Sequence, residues 1–212
     1  MKPFKSHLIT QACPCHPSKI LIFADDVVLC HSDRSLSITV PKLKQFIHHF
    51  TINANRLFLS LASQKCELVL FSLRPFNRIS VRISIHGQKF EMLNHYKYLG
   101  IILDSKLTWR SHILCLRDRA FDAINIIKAP SPSKWEGNPA SLLIFHKSYV
   151  WSIMEYGSIL FVNDPKATII LLERVQNLSV RLALGGAKTT SIPVVQFGTK
   201  IPPLFLRKLK LA

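Results

Sequence analysis

Two apolar runs flank a pair of acids near the start of the chain. Residues 19–30 read KILIFADDVVLC, with large apolar and β-branched side chains dominating both arms. Nearly continuous apolar runs of this length are typical of strands buried on both faces, and the polar pair between them marks a turn. The pattern predicts a β-hairpin with two buried arms and with Asp25 and Asp26 at its exposed tip.

The rest of the first half alternates between helix and strand patterns. Residues 40–55 have apolar side chains at helical spacing, and Pro41 is near the start, where its missing N–H costs least. A turn is predicted at Gly87. Strand patterns occur at residues 67–72, 80–86, 89–93 and 96–104.

Helices dominate the second half. Ser111 is positioned to cap a helix over residues 112–128, and a Pro- and Ser-rich loop follows at residues 129–139. Two further amphipathic helices are predicted over residues 140–160 and 167–184. The apolar face of the last helix is expected to contain Leu171, Val175, Leu178 and Leu182, with Leu172 beside them. The fold class is therefore α+β, with a mixed unit over residues 1–106 and an all-helical unit over residues 107–212.

Composition adds a strong positive charge to this picture. The 212 residues include 28 Lys and Arg against 12 Asp and Glu, which gives a formal net charge of +16. Lys and Arg that neutralise phosphates release counterions, so a basic surface gains affinity for nucleic acid of any sequence. Nucleic acid is the partner that the charge favours. A basic ribosomal-type protein or a membrane-surface protein would carry a similar charge.

The cysteines argue against a secreted protein. The five cysteines are odd in number and irregularly spaced, which does not fit a disulfide framework. We therefore expect an intracellular location, in the cytoplasm or the nucleus, and no disulfide-linked partner. Cys13, Cys15 and His16 suggest a zinc site, but no second pair of ligands follows at zinc-finger spacing.

No pattern indicates secretion or a membrane span. The first eleven residues contain no apolar run. The most apolar later stretch, residues 141–162, is interrupted by His146, Lys147 and Glu155. We expect this stretch to form a buried helix, and we expect no membrane partner.

Asp25 and Asp26 are the side chains best suited to metal chemistry. Nucleotidyl transfer uses divalent ions held by hard oxygen ligands, and adjacent carboxylates on a tight turn supply such ligands. Because consecutive strand residues point to opposite faces, we expect Asp25 to be the primary ligand and Asp26 the weaker one. An ordinary polar turn between two strands is the alternative interpretation.

Four segments, in order along the chain, resemble a known family. They are Phe23-Ala24-Asp25-Asp26, residues 65–72 (KCELVLFS), residues 96–104 (YKYLGIILD), and residues 107–109 (LTW) followed by His112 and Ile113. The first resembles the metal-binding hairpin of reverse transcriptase palms. The others resemble segments that follow this hairpin in jockey-like non-LTR retrotransposons, and weaker similarity continues to about Arg207.

The resemblance implies part of a polymerase palm, built of antiparallel strands with a packed helix, followed by a helical thumb. The implied activity is RNA-directed DNA polymerisation with Mg²⁺ at Asp25 and Asp26. The implied partners are an RNA template, a DNA primer and deoxynucleoside triphosphates. Lys65 takes the position of a lysine that protonates the departing pyrophosphate, with a solvated lysine as the alternative. Tyr98 and Gly100 take positions close to the primer, with a β-bulge at Gly100 as the alternative.

Arginines and tryptophans of the second half are further candidates for nucleic-acid contacts. Trp109, Trp135 and Trp151 could stack on bases, but we expect them to be packing anchors. Backbone phosphates of template or primer are the expected partners of four arginines, with a solvated helix face as the alternative. These are Arg117, Arg119, Arg174 and Arg181.

The chain departs from the family pattern ahead of the hairpin. Palms of this kind also have an upstream strand with another metal-binding aspartate, whereas the 24 residues before Asp25 contain no acid. We therefore expect no polymerase activity from this chain alone. A nucleic-acid-binding module that has lost catalysis, and a decayed copy of the element without a stable fold, are the alternatives.

Overall fold

The chain forms two units in a computed structural model, Met1–Leu107 and Thr108–Ala212. The residues that the structure describes are 3–10, 18–73, 83–85, 87–90, 92–128, 138–161, 166–187 and 189–211. Strands and one long helix make up the first unit, and helices make up the second. The predicted mixture of helix and strand is confirmed, and the assignment of the units as palm and thumb stays a prediction.

The strands of the first unit form one larger sheet and two small ones. They are β1 (Pro3–Thr10), β2 (Ser18–Phe23), β3 (Asp26–His31), β4 (Ser60–Leu61), β5 (Glu67–Leu70), β6 (Ile83–Ile85), β7 (Gln88–Phe90), β8 (Met92–Leu93), β9 (His95–Tyr98) and β10 (Ile101–Asp104). The larger sheet has the order β2-β3-β1-β5-β8, with β4 also paired to β1. β6 pairs with β7, and β9 pairs with β10, both antiparallel.

The larger sheet is mixed, which differs from the antiparallel sheet that the resemblance implied. β2 and β3 form the predicted antiparallel hairpin, with Phe23 opposite Asp26. β1, however, runs parallel to both β3 and β5. β3 and β5 point the same way because a helix, α1 (Leu36–Arg56), returns the chain between them.

Helix α1 packs on one face of this sheet. Its Leu43 and Ile47 are buried in one cluster with Val27 and Leu29 of β3 and Leu68 of β5. Burying a side chain of this size stabilises the fold by roughly 1.5–3 kcal/mol. The apolar spacing that predicted the helix therefore also identified the side chains that attach it to the sheet.

The helix begins four residues before its predicted start. The Ser35 carbonyl accepts hydrogen bonds from the backbone N–H of Ile38 and of Thr39, at 3.2 and 3.0 Å. Pro41, expected in the first turn, consequently lies inside the helix. Proline lacks the N–H that would bond four residues back, and the helix continues past this missing bond to Arg56.

β2 is exposed where two buried arms were predicted. All six β2 residues are exposed, with Ile22 65% and Phe23 59% accessible, whereas Val27 and Val28 of β3 are fully buried. β2 is the edge strand of the sheet. The prediction was wrong for this arm. An apolar run shows that a strand is suited to burial, but burial also requires other segments that pack against the strand.

The segment predicted as a single strand over residues 96–104 is a hairpin. β9 and β10 pair antiparallel, with Tyr98 opposite Ile101. Leu99 and Gly100 form the turn between them, with φ of 46° and 82°. Positive φ at both central residues is the geometry that matches the twist of a two-residue hairpin. Gly100 therefore serves a tight turn, which the strand interpretation missed.

The second unit consists of helices joined by short connections. They are α2 (Arg110–Lys128), α3 (Pro139–Phe145), α4 (Trp151–Glu155), α5 (Lys166–Ala183), α6 (Ile192–Thr199) and α7 (Leu204–Leu211). Ser111 lies inside α2 rather than at its cap, because the helix begins at Arg110. The predicted helix over 140–160 is divided, with a π-helical segment, His146–Val150, between α3 and α4 and a turn at Gly157. Of the predicted loop at 129–139, residues 129–137 lie outside the described residues.

The buried face of α5 is rotated from the predicted one. Val175 is fully buried, as predicted, and so is Leu172 beside the predicted face, but Leu171, Leu178 and Leu182 are only half-buried. Polar residues take part of the buried face, namely Thr168, Gln176 and Ser179. Apolar periodicity could not show this, because the buried polar side chains find partners on other helices.

These partners form a polar network inside the second unit. Trp151 donates a hydrogen bond from Nε1 to Oε1 of Gln176 at 2.9 Å, and Gln176 donates to the Pro202 carbonyl at 2.9 Å. The Arg207 guanidinium lies 3.8 Å from the centre of the Trp151 ring and pairs with Glu155. Trp151 is thus a packing anchor, as expected, whereas Trp135 lies outside the described residues.

Two expectations about cysteines and membranes can be compared with the described residues. Cys30, Cys66 and Cys115 are not joined in disulfides, while Cys13, Cys15 and His16 lie outside the part of the chain that the structure describes. No helix within the described ranges combines the length and the apolar character needed to cross a bilayer.

Candidate active site

The tip of the β2–β3 hairpin carries the two predicted metal ligands. Ala24 and Asp25 form the turn, and Asp26 is the first residue of β3. Asp25 is exposed and Asp26 is half-buried. Ala24 has φ of 52°, a left-handed conformation that costs a residue with a Cβ roughly 1–2 kcal/mol. Strain of this kind persists where the surrounding structure imposes it, and it is common at functional sites.

Asp26 lies on the sheet face opposite helix α1. Val27, Leu29 and Leu68 pack with the helix, and side chains alternate between the faces of a strand. Asp26 and Cys30 on β3, and Glu67 on β5, therefore belong to the other face. Two strand spacings and an offset of two residues separate the Asp26 and Glu67 Cα atoms by about 12 Å. That separation is too large for one metal ion to bridge the two carboxylates directly.

Tyr96 and Tyr98 of β9 are within electrostatic reach of the acids on this second face. Burial raises the pKa of Tyr96 above its usual range, and the negative charges of Glu67 and Asp26 raise it further. The pKa of Tyr98 is also raised, first by burial and then by Asp26 and Cys30. Both phenols therefore keep their protons at neutral pH and can donate hydrogen bonds. The structure thus brings Tyr98, a predicted nucleic-acid contact, close to Asp26, a predicted metal ligand.

Desolvation also affects the thiol on this face. Burial raises the pKa of Cys30 to about 11, and the nearby Lys19 ammonium opposes the rise. A thiol with such a pKa is protonated at neutral pH, and a protonated thiol is a poor nucleophile and metal ligand. Cys30 is consequently a neutral neighbour of the site.

The strand beside Asp26 carries a basic residue at the matching position. In the parallel pairing of β1 with β3, Lys5 is the partner of Asp26. On its other side, β1 pairs His7 with Glu67 of β5. The two register positions of β1 nearest the carboxylates are therefore occupied by Lys and His.

Lys65 lies on the approach to β5. It is the last residue of a short 3₁₀ turn, Ser63–Lys65, and its side chain is exposed. Glu67, two residues later, begins β5. This position is compatible with a proton donor and equally with the alternative, a solvated lysine where the strand begins. The general-acid role of Lys65 stays a prediction.

The carboxylates of the tip suit a magnesium ion that keeps water. Within the described ranges, no three His, Cys, Asp or Glu side chains come together as a metal-binding group. Mg²⁺ is commonly held by one or two carboxylates, with water and substrate phosphate completing its six ligands. Asp25 and Asp26 can supply that share of the ligands, and the hard oxygen donors fit this ion.

The four predicted arginine contacts have different environments. Arg119 and Arg174 are exposed. Arg117 forms an ion pair with Asp118 at 2.7 Å. Arg181 donates two hydrogen bonds to the Thr190 carbonyl, at 3.1 and 2.8 Å. Arg119 and Arg174 are therefore the freer candidates, and Arg181 has a structural role at the end of α5.

Tyr96 and Glu67 were missed as site residues. Glu67 precedes the buried Leu68, whereas Tyr96 is itself buried between the exposed His95 and Lys97 and is two residues from Tyr98. The period-two pattern of β9 and β5 could have assigned them to one face. The sequence could not show that these side chains are near Asp26, because this depends on which face of the larger sheet helix α1 covers.

Curated proteins similar to this chain are polymerases of mobile elements. A probable RNA-directed DNA polymerase from transposon X-element of Drosophila melanogaster is 24% identical over 168 residues, 79% of this chain and 18% of that protein. The RNA-directed DNA polymerase from mobile element jockey of Drosophila funebris is 30% identical over 98 residues, 46% of this chain and 10% of that protein. A retrovirus-related Pol polyprotein from type-1 retrotransposable element R1 of Bradysia coprophila is 21% identical over 182 residues, 84% of this chain and 18% of that protein.

These similarities confirm the resemblance seen in the sequence: the chain is similar to RNA-directed DNA polymerases of non-LTR retrotransposons. No protein-family model matches it, and no solved structure matches it significantly. The chain spans less than a fifth of the length of these three relatives.

Proposed function

We propose that the chain is a part of a reverse transcriptase of a non-LTR retrotransposon, the part that contributes the metal-binding hairpin and a segment next to the primer. The observation that carries this proposal is the closeness of Asp26 and Tyr98, two positions of separate family motifs that act on each other electrostatically. A polar turn without function would need no second motif beside it.

In this proposal, each site residue has a distinct task. Asp25 and Asp26 hold Mg²⁺, which in the complete enzyme would neutralise charge on the reacting phosphates. Lys65 gives a proton to the departing pyrophosphate of the deoxynucleoside triphosphate. Tyr98 and the turn at Gly100 support the end of the DNA primer on its RNA template. Arg119 and Arg174 contact backbone phosphates, which gives affinity without sequence preference.

Magnesium-dependent binding tests the site without requiring catalysis. The probe is a primed RNA–DNA hybrid, measured by fluorescence anisotropy at constant ionic strength with and without millimolar Mg²⁺. The unaltered chain is expected to bind several-fold more tightly with Mg²⁺, because the ion removes the repulsion between the carboxylates and the phosphates. The double variant Asp25→Asn/Asp26→Asn should bind more tightly than the unaltered chain without Mg²⁺ and should gain nothing from its addition.

Asp122→Asn is a control for the loss of an acid outside the hairpin, with a charge change half that of the double variant. Asp122 is an exposed acid on α2, so its replacement changes the net charge without touching the hairpin. It should keep the Mg²⁺ response of the unaltered chain. An equal Mg²⁺ response in the double variant would refute a metal site at Asp25 and Asp26.

We also propose that the 212-residue chain does not extend a primer by itself. The strand beside Asp26 offers Lys5 at the paired position, and the 24 residues before Asp25 contain no acid that could complete the metal site. A primer-extension assay with Mg²⁺ is expected to show no incorporation. Incorporation above that of Asp25→Ala would overturn this part of the proposal and leave the metal site intact.

A further inference from the structure

We infer that the solvent face of helix α1 is a second nucleic-acid-binding surface, one that contacts phosphates on the opposite side of the sheet from Asp26. Neither the motifs nor the candidate site assigns a role to this face. We define it by its exposed basic and amide side chains. They are Lys42, Lys44, Gln45, His48, His49, Asn53, Asn55 and Arg56.

The charge of this face is uniform in sign. Residues 36–56 contain Lys42, Lys44 and Arg56 and no Asp or Glu. The nearest acid in the sequence, Asp33, pairs with Lys42 at 3.2 Å. Within the described ranges, no ion pair joins a carboxylate to Lys44 or Arg56. Most exposed helices mix both signs of charge, so a face without acids is suited to a polyanion.

The opposite face of the same helix is fully used by the fold. Leu43 and Ile47 are buried against the sheet. A helix that binds a membrane surface must present its apolar face to the lipid, and α1 has that face occupied. The exposed side offers only scattered apolar side chains between the cations, Ile38 and Ile52. A membrane surface is therefore a poor fit.

The groups present suit phosphate contacts rather than base recognition. Lys, Arg, Asn and Gln side chains are the usual donors to backbone phosphates, and all four types occur on this face. The 21 residues of α1 extend over about 30 Å, which is comparable to nine base-pair steps of a duplex. No Trp, Tyr or Phe is exposed within Leu36–Arg56 for stacking, and the exposed Phe58 lies beyond the end of the helix. The partner is therefore nucleic acid bound without sequence preference.

This surface is separate from the proposed polymerase site. Val27 and Leu29, on the helix side of β3, alternate with Asp26 and Cys30 on the other side. A short duplex at Asp26 therefore does not reach α1 without passing around the sheet. The inference consequently does not depend on metal binding or on catalysis.

The test compares two triple variants that lower the net charge equally. One is Lys42→Gln/Lys44→Gln/Arg56→Gln on the α1 face. The control replaces three other exposed lysines, Lys89→Gln/Lys106→Gln/Lys128→Gln. Both are titrated with a twelve-base-pair RNA–DNA hybrid at several salt concentrations, after circular dichroism shows that each has the secondary structure of the unaltered chain.

Each phosphate contact contributes about 0.9 to the slope of log affinity against log salt. We expect the α1 variant to lose about 2 from that slope and to bind at least tenfold more weakly at low salt, while the control loses less than about 1. Acetylation of Lys44 should also be slowed several-fold by bound hybrid, with Lys128 unaffected. Equal losses in both variants, or an unprotected Lys44, would overturn the inference.

Polyglutamate separates nucleic acid from an acidic protein as the partner. If polyglutamate displaces the hybrid from the unaltered chain at equal charge concentration, the surface does not prefer nucleic acid to an acidic polypeptide, and the inference fails. Asp25→Asn/Asp26→Asn should leave the protection of Lys44 unchanged. Loss of the Mg²⁺ response in that double variant, with Lys44 still protected, would support both sites independently.

Discussion

Lowering the pH should destabilise the second unit through one buried histidine. His146 is fully buried in the π-helical segment before α4, and its Nδ1 lies 2.8 Å from the Ser179 hydroxyl. Burial lowers the pKa of His146 to about 4 from an ordinary 6.5, and the Lys147 ammonium acts in the same direction. The folded unit therefore favours the neutral ring, whereas the unfolded chain takes up a proton near pH 6.5.

The sign and size of the effect follow from this difference in pKa. Because the unfolded state binds the proton first, the contribution of His146 to stability is complete above about pH 6.5 and falls as the pH decreases. A difference of about 2.5 pKa units corresponds to about 3 kcal/mol, all of it lost below about pH 4. About 2 kcal/mol is already lost at pH 5, where most carboxylates are still ionised.

Tryptophan fluorescence isolates this unit in an unfolding experiment. The three tryptophans, Trp109, Trp135 and Trp151, all belong to the second unit. Urea unfolding followed by their emission at pH 7, 6 and 5 gives the stability of the unaltered chain. His146→Gln, which cannot take up a proton in this range, gives the reference. Between pH 7 and pH 5, the unfolding free energy of His146→Gln should fall by about 2 kcal/mol less than that of the unaltered chain.

The subtraction removes other groups that titrate in the same window. His112 of α2 also has a lowered pKa, because of burial first and of Arg119 and Lys208 next. It is present in both proteins and cancels. If the stability difference between the unaltered chain and His146→Gln is the same at pH 7 and pH 5, His146 is not held neutral by the fold and the reasoning is refuted.

Three substitutions test other parts of the structure by urea unfolding. Leu43→Ala removes a fully buried side chain between α1 and the sheet and should cost about 2–5 kcal/mol, measured by circular dichroism; a cost under 1 kcal/mol would mean that α1 does not pack there. Gly100→Ala places a Cβ at φ of 82° in the β9–β10 turn and should cost about 1–2 kcal/mol, with Gly198→Ala, where a Cβ meets open space, as the control for glycine replacement. Trp151→Phe removes the donor that bonds the buried Gln176 and should lower the unfolding free energy by about 1–3 kcal/mol, followed by the fluorescence of the remaining tryptophans. An unchanged urea midpoint would mean that water replaces the bond.

Local patterns in the sequence predicted α1, α2, α5, the region of α3 and α4, and most strands of the described residues, but not α6, α7 or β1. The apolar spacing around Leu43 and Ile47 identified both a helix and the face that it buries. Boundaries were less accurate, since the first turn of α1 is fixed by bonds to the Ser35 carbonyl rather than by apolar residues. The turn at Gly100 was missed because strand-forming residues on both sides of it suggested one strand instead of two.

The parts that could not be predicted depend on contacts between distant segments. The buried face of α5 includes Gln176 and Ser179, whose partners are Trp151 and His146, 25 and 33 residues away. No periodicity in α5 itself reveals that a polar side chain has such a partner. The electrostatic influence of Asp26 on Tyr98 is of the same kind, since the two residues belong to separate hairpins far apart in the sequence.

The contrast between β2 and β3 shows what the sequence of the hairpin is adapted to. The two arms are almost equally apolar, yet Val27 and Leu29 are buried while Ile22 and Phe23 are mostly exposed. Sheet edges that natural proteins leave open are usually short, charged or twisted away, because a flat apolar edge pairs with other chains. Within β2 the one charged residue is Lys19, far from the tip; the charges near Phe23 belong to the tip and to β3, where Asp26 is its partner. Its sequence therefore suits a strand with cover on both faces, and as an open edge it gives the isolated chain a surface for self-association at the same hairpin that carries Asp25 and Asp26.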